Sequence, residues 1–149
     1  MAIDKKLIFR KINLIIRDLE KVRSISMLSW QEYKKKSEYE ALAERYLERI
    51  IGRMIDINFH LIIESGHAPP EDYFSSFRML GELRIISHDL AKRFARLAGL
   101  RNRLAHEYDA IDEKKIYNEL KNVSKELPVY LTAVEKFSDK NNRQKRIKF

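Results

Sequence analysis

A chain of 149 residues is long enough to bury one sizeable core, and a hydrophobic share of 44% marks a globular composition rather than a disordered one. A formal charge of +8 favours polyanionic partners without selecting nucleic acid among them. The lack of cysteine excludes disulfides, thiolate metal sites and a Cys nucleophile, and 4 Gly with 3 Pro are too few for a turn-rich β architecture.

No apolar run approaches the roughly 20 residues that span a bilayer. The opening Met1-Ala2-Ile3-Asp4-Lys5-Lys6 has no signal-peptide core. The expectation is a soluble, cytoplasmic protein with no membrane partner.

In chain order, Ile8, Ile12, Ile15, Leu19 and Val22 step by three and four, the stripe of a helix over about residues 4–23 with Asp4 as its N-cap. Residues 24–29 loosen the pattern, with Trp30 packed nearby. The longest helix begins at Gln31 or Ser37 and runs to Ser65, with Ala43, Tyr46, Ile50, Met54, Ile57 and Leu61 on its stripe. Leu42, Leu47, Ile51 and Ile62 widen that face, which suggests burial against both its own bundle and a second subunit. Gly66 stops it, and Pro69-Pro70 stands where helices begin.

A short helix from Glu71 to Leu80 is expected, with Tyr73, Phe74 and Phe77 as anchors and Gly81 as its breaker. Ser87 or Asp89 caps the next helix, which carries Leu90, Phe94 and Leu97, and Gly99 marks a kink or boundary. The last helix opens at Asp112, runs through Ile116, Leu120, Val123, Leu127, Leu131, Val134 and Phe137, and should kink at Pro128. The fold class is all-α, an up-down bundle of about five helices. One domain covers residues 1–138, and a basic tail follows over 139–149, where Lys140, Arg143, Lys145, Arg146 and Lys148 face only Asp139.

The chemistry concentrates in Arg101-Asn102-Arg103-Leu104-Ala105-His106-Glu107-Tyr108. On a helix, Leu97, Leu100 and Leu104 share the core side, while Arg101, Asn102, His106 and Tyr108 occupy one polar sector. Arg101 and His106 are five residues apart and do not stack directly. The set suits cleavage of an RNA phosphodiester without a metal. Histidine titrates near neutrality and can move a proton, and arginine offers a planar cationic fork to phosphoryl oxygens. Asn102 can orient the histidine or the substrate. By residue type alone, the commoner reading of an Arg and a His near a helix end is a surface charge and a C-terminal cap.

The spacing R-x-x-x-x-H-x-Y over Arg101, His106 and Tyr108 resembles the motif of HepT toxins in the HEPN superfamily. The flanking words resemble it too: Ala41-Leu42-Ala43-Glu44-Arg45-Tyr46-Leu47, Pro69-Pro70-Glu71-Asp72-Tyr73, Leu80-Gly81-Glu82 and Leu97-Ala98-Gly99-Leu100. The resemblance implies a twofold homodimer and a metal-independent endoribonuclease toxin of a type VII toxin–antitoxin system. It implies Arg101 and His106 as the catalytic pair, Asn102 as polar helper and no cofactor. It also implies an MntA-like nucleotidyltransferase antitoxin that transfers AMP to Tyr108. The alternative is a non-catalytic helical subunit that binds a nucleotide or docks on a nucleotidyltransferase. A purely structural dimer is the third reading, favoured if Arg101 and His106 prove to be tied up in internal salt bridges.

His60 is expected to be a packed or interface histidine, His67 a loop residue and His88 part of a helix start. No spacing suggests a metal site. Tyr46 and Trp30 read as core residues rather than base-stacking platforms.

Overall fold

The computed structural model describes residues 3–107, 109 and 111–147, with side chains to residue 140. Asp4 caps the first helix, α1 (Lys5–Ser26), by accepting from the Leu7 amide at 3.0 Å. The predicted stripe of α1 is buried along its length. The helix count is six among the described residues, one more than the periodicity suggested.

The extra element is α2 (Trp30–Lys35), a single short helix opened by a capping box in which Ser29 and Glu32 satisfy each other's backbone amides. Lys36 is extended, so α2 is separate from α3 (Ser37–Glu64). Helix α3 is central and touches all five of the others. That position accounts for its wide apolar face within one chain: Leu47, Ile50, Ile51, Ile57, Leu61 and Ile62 are fully buried, and Leu42 is its one exposed large hydrophobic residue among those described. The breadth of this face therefore needs no second subunit.

Asp72 caps α4 (Tyr73–Glu82) by accepting from the Ser75 amide at 2.7 Å. This start turns Ser76, Phe77 and Leu80 inward and leaves Tyr73 and Phe74 exposed, so of the three expected anchors only Phe77 is one. Gly81 does not break α4. It lies buried inside it, where an added Cβ would meet the Ala91 Cβ at 2.8 Å, so its smallness lets α4 and the next helix approach closely. The chain turns at Arg84 in the left-handed region, φ 59°.

Ser87 caps α5 (His88–His106), which continues through Gly99 without a boundary. Asp112 accepts from the Lys114 amide at 3.0 Å and opens α6 (Glu113–Ile147). Helix α6 is continuous across Pro128 and on through residues 139–147. Every described element is helical, and among the described residues no helix is long and apolar enough to cross a membrane.

Candidate functional site

The C-terminal half of α5 sorts its residues as the helical period requires. Leu97, Leu100 and Leu104 are buried in the core, while Asn102, Arg103 and His106 are exposed and Arg101 is half-buried. Burying a leucine side chain is worth about 1.5–3 kcal/mol, so this face fixes which way the polar face points. His106 is the last helical residue, and the Glu107 amide closes the turn on the Arg103 carbonyl at 2.8 Å. Arg103 in the last turn complements the negative end of the helix. Tyr108 lies outside the described residues.

Arg101 projects against α3 and α4. Its guanidinium lies over the Tyr73 ring, 5.5 Å from the centroid. It lines a groove of about 440 Å³ with Arg49, Gly52, Arg53, Phe59 and Tyr73. Among the described residues Arg101 has no carboxylate partner, and neither does His106. Such partners would have favoured the third reading. Among the described residues no hydrogen bond joins Arg101, Asn102 and His106 to one another. The structure thus sets Arg101 into a groove and His106 at the helix end.

The wall of the groove is pinned from behind. Tyr130 of α6 donates to the Asn58 Oδ1 at 2.6 Å, the Asn58 Nδ2 to the Ser76 Oγ at 3.2 Å, and the Ser76 Oγ to the Tyr73 carbonyl at 2.7 Å. Tyr130, Asn58 and Ser76 are fully buried, and this chain fixes the backbone beneath the Tyr73 ring. On the α1 side, the buried Asp18 carboxylate holds both Arg53, at 2.6 Å, and Arg49, at 3.2 Å. Asp56 at the groove edge pairs with Lys11 at 3.1 Å.

Sequence reasoning did not pick out Arg49, Gly52, Arg53 or Phe59. Two arginines four apart on a helix read as a solvated face, and only the fold brings Asp18 to them. The remaining histidines behave as expected in place: the half-buried His60 accepts from the Asp4 amide at 2.9 Å through Nε2, His67 is in the exposed loop, and His88 starts α5. Trp30 and Tyr46 pack against the core. Among the described residues no three His, Asp or Glu side chains gather as a metal site would require.

A second polar cluster joins α2, α3 and α6. The Tyr33 hydroxyl donates to the Glu113 Oε2 at 3.0 Å. Burial, reinforced by the neighbouring Glu113 charge, pushes the Glu44 carboxyl up to about 7, and burial also raises Glu113. Burial and the Glu113 charge raise the Tyr33 phenol further.

Comparison with known proteins bears on this geometry. The family model described as "Ribonuclease HepT-like" matches residues 15–136. A tRNA nuclease HepT from Aphanizomenon flos-aquae is 30% identical over 135 residues, covering 91% of this chain and 92% of that protein. Among solved structures, the Bacillus subtilis cytosolic protein YutE, of unknown function, superposes with a TM-score of 0.80 at 17% identity, covering 92% of each chain. A tri-AMPylated HEPN toxin from Shewanella oneidensis, solved in complex with an MNT antitoxin, gives 0.79 at 19% identity, covering 87% of this chain and 96% of that one.

Proposed function

The chain belongs to the HepT-like ribonuclease family, and from that premise we propose that it is a metal-independent endoribonuclease toxin, active as a twofold dimer. Its RNase is silenced by AMP transfer to Tyr108 from an MntA-like nucleotidyltransferase. The observation that carries the reading is the half-buried Arg101, a guanidinium without a carboxylate partner among the described residues, on the same helix end as the exposed His106. A half-buried guanidinium that lines a groove and has no carboxylate partner there suits an anionic ligand that comes and goes.

In this reaction the RNA 2′-oxygen attacks the adjacent phosphorus and the bond to the 5′-oxygen breaks, giving a 2′,3′-cyclic phosphate and a 5′-hydroxyl. His106 takes the 2′-hydroxyl proton, and the second copy's His106 supplies one to the leaving oxygen. Arg101 balances the charge that grows on the phosphoryl oxygens. Asn102, one residue from Arg101 and four from His106, positions the substrate from the same face.

For silencing, the Tyr108 phenol oxygen bonds to the α-phosphorus of ATP, pyrophosphate leaves and the phenol proton passes to solvent. The attached phosphate then competes with RNA for Arg101. The Shewanella toxin supports this, since that HEPN protein is itself AMPylated and sits in a complex with its antitoxin.

The test is cleavage of purified RNA in EDTA before and after incubation with the partner nucleotidyltransferase and ATP. The expected result is activity without metal, lost in step with an AMP mass increment on the Tyr108 peptide. Cleavage that requires a divalent ion would refute the metal-independent mechanism. An unchanged mass beside an active partner enzyme would refute AMP transfer and leave the RNase to stand on Arg101 and His106.

A further inference from the structure

Three features of the groove beside Arg101 converge on a ligand that the chain itself does not supply. The first is Gly52. A glycine inside a helix is less favourable than alanine, because it loses more backbone freedom on folding. At Gly81 that cost has a structural reason, the 2.8 Å approach to Ala91; at Gly52 an added Cβ would meet nothing within 4 Å, and the backbone is not left-handed. The space over Gly52 opens into the groove.

The second feature is charge. Asp18 is shared by Arg49 and Arg53, and Asp56 is matched by Lys11, so with Arg101 four cations face two carboxylates. Asp18 is buried and fixes both arginines from behind, and each guanidinium has five N–H donors, so donors remain for the groove side. The third is the aromatic wall, where the Phe59 and Tyr73 rings meet edge to face at 6.2 Å.

We infer that this groove is the subsite for the nucleotide flanking the cleaved bond in single-stranded RNA, its phosphate on Arg49 and Arg53 and its base against Phe59 and Tyr73. The inference rests on the ribonuclease reading, and it assigns substrate binding to α3, outside the R-x-x-x-x-H-x-Y motif. Gly52 keeps the floor low enough for the sugar to lie over the helix. Asp18 is a positioning residue that acts through the two arginines.

The experiment measures anisotropy of a fluorescein-labelled, mixed-sequence single-stranded RNA with the His106→Ala protein as parent, so that binding is read without cleavage. Gly52→Leu fills the groove with a good helix former, and the thermal midpoint should hold or rise while RNA affinity falls on the order of tenfold. Arg49→Gln leaves Arg53 on Asp18 and so keeps the fold, and it should lower the slope of log affinity against log salt by about 0.7.

If wild-type protein cleaves RNA while both variants bind like the parent, the subsite is wrong and the ribonuclease reading survives. If Gly52→Leu halves the mass in light scattering and Arg49→Gln leaves affinity unchanged, the space belongs to a second copy of the chain and the inference fails. If the wild type cleaves no RNA and the parent binds none, the ribonuclease reading falls and takes the subsite with it.

Discussion

Where α2 meets α6, Lys114 lies 4.4 Å from the Trp30 ring centroid, beside a cluster of the Trp30, Tyr33 and Tyr117 rings. Beside α5, Arg101 lies 5.5 Å from the Tyr73 centroid, with Phe59 at its edge. Residue types are alike in the two corners, but their polar groups have different fates. In the first, the hydroxyls are satisfied inside the protein, Tyr33 on Glu113 and Tyr117 on the Leu28 carbonyl, and the rings belong to the core. In the second, Tyr73 is exposed and the groove keeps an excess of positive charge. Aromatic–cation pairing therefore does not distinguish the two corners, since Lys114 also has no carboxylate partner among the described residues; what does is that the Tyr33 and Tyr117 hydroxyls are bonded inside the protein while Tyr73 stands exposed at the groove.

The largest effect expected between the two corners separates them directly. Arg101→Ala should lower RNA cleavage by about 10²–10³-fold, the loss typical of one group that stabilises transition-state charge. Lys114→Ala should leave cleavage unchanged. Equal losses in both, measured as single-turnover rates, would dissolve the distinction.

The support behind the groove should show as stability. Tyr130→Phe leaves the buried Asn58 Oδ1 without its donor, a loss of about 1–3 kcal/mol in urea unfolding. Arg101→Ala, outside the core, should shift the same midpoint little. A Tyr130→Phe protein as stable as the parent would show that the chain from α6 to Tyr73 holds nothing in place.

The aromatic corner should respond to pH through Glu44. Its carboxyl is raised in the fold to about 7 from an ordinary value of 4.5, so between those values the folded state holds more proton than the unfolded chain. Stability from this group is present below the unfolded value and is lost as pH rises through the folded one. Glu44→Gln should flatten thermal stability between pH 5 and 7 (about the span of the shift) and raise it at pH 8. An unaltered pH profile would remove Glu44 from that account. The smallest effect is expected at Gly52, where alanine should stabilise by about 0.5–1 kcal/mol, since nothing inside the chain needs the glycine. Destabilisation there would mean that the floor of the groove is structural.

Helical periodicity was enough to read the bundle, because burial enforces the same three-and-four spacing that the sequence displays. The Asp4 and Asp112 caps were legible for the same local reason. Helix α2 was legible but missed: Ser29 and Glu32 write a capping box ahead of it. Gly81 and Gly99 misled: Gly81 serves close packing and Gly99 sits inside α5 with no close neighbour, yet both have the same letter as a glycine that ends a helix.

Arg101 and His106 could be singled out because their spacing is local, along one helix. Arg49, Arg53 and Gly52 could not, because their meaning depends on Asp18, more than 30 residues away, and on an empty space. The over-wide face of α3 shows the same limit. It reads as a subunit interface until the fold wraps five helices around it.

The proposed cleavage chemistry resides at the end of α5 and needs no metal. It is tested most directly by following RNA cleavage in EDTA with wild-type and His106→Ala proteins side by side, with circular-dichroism melts of both. Wild-type cleavage should persist, His106→Ala should fall by about 10²–10⁴-fold, the loss typical of a general acid–base group, and the two melts should coincide. Cleavage by His106→Ala at the wild-type rate would contradict it.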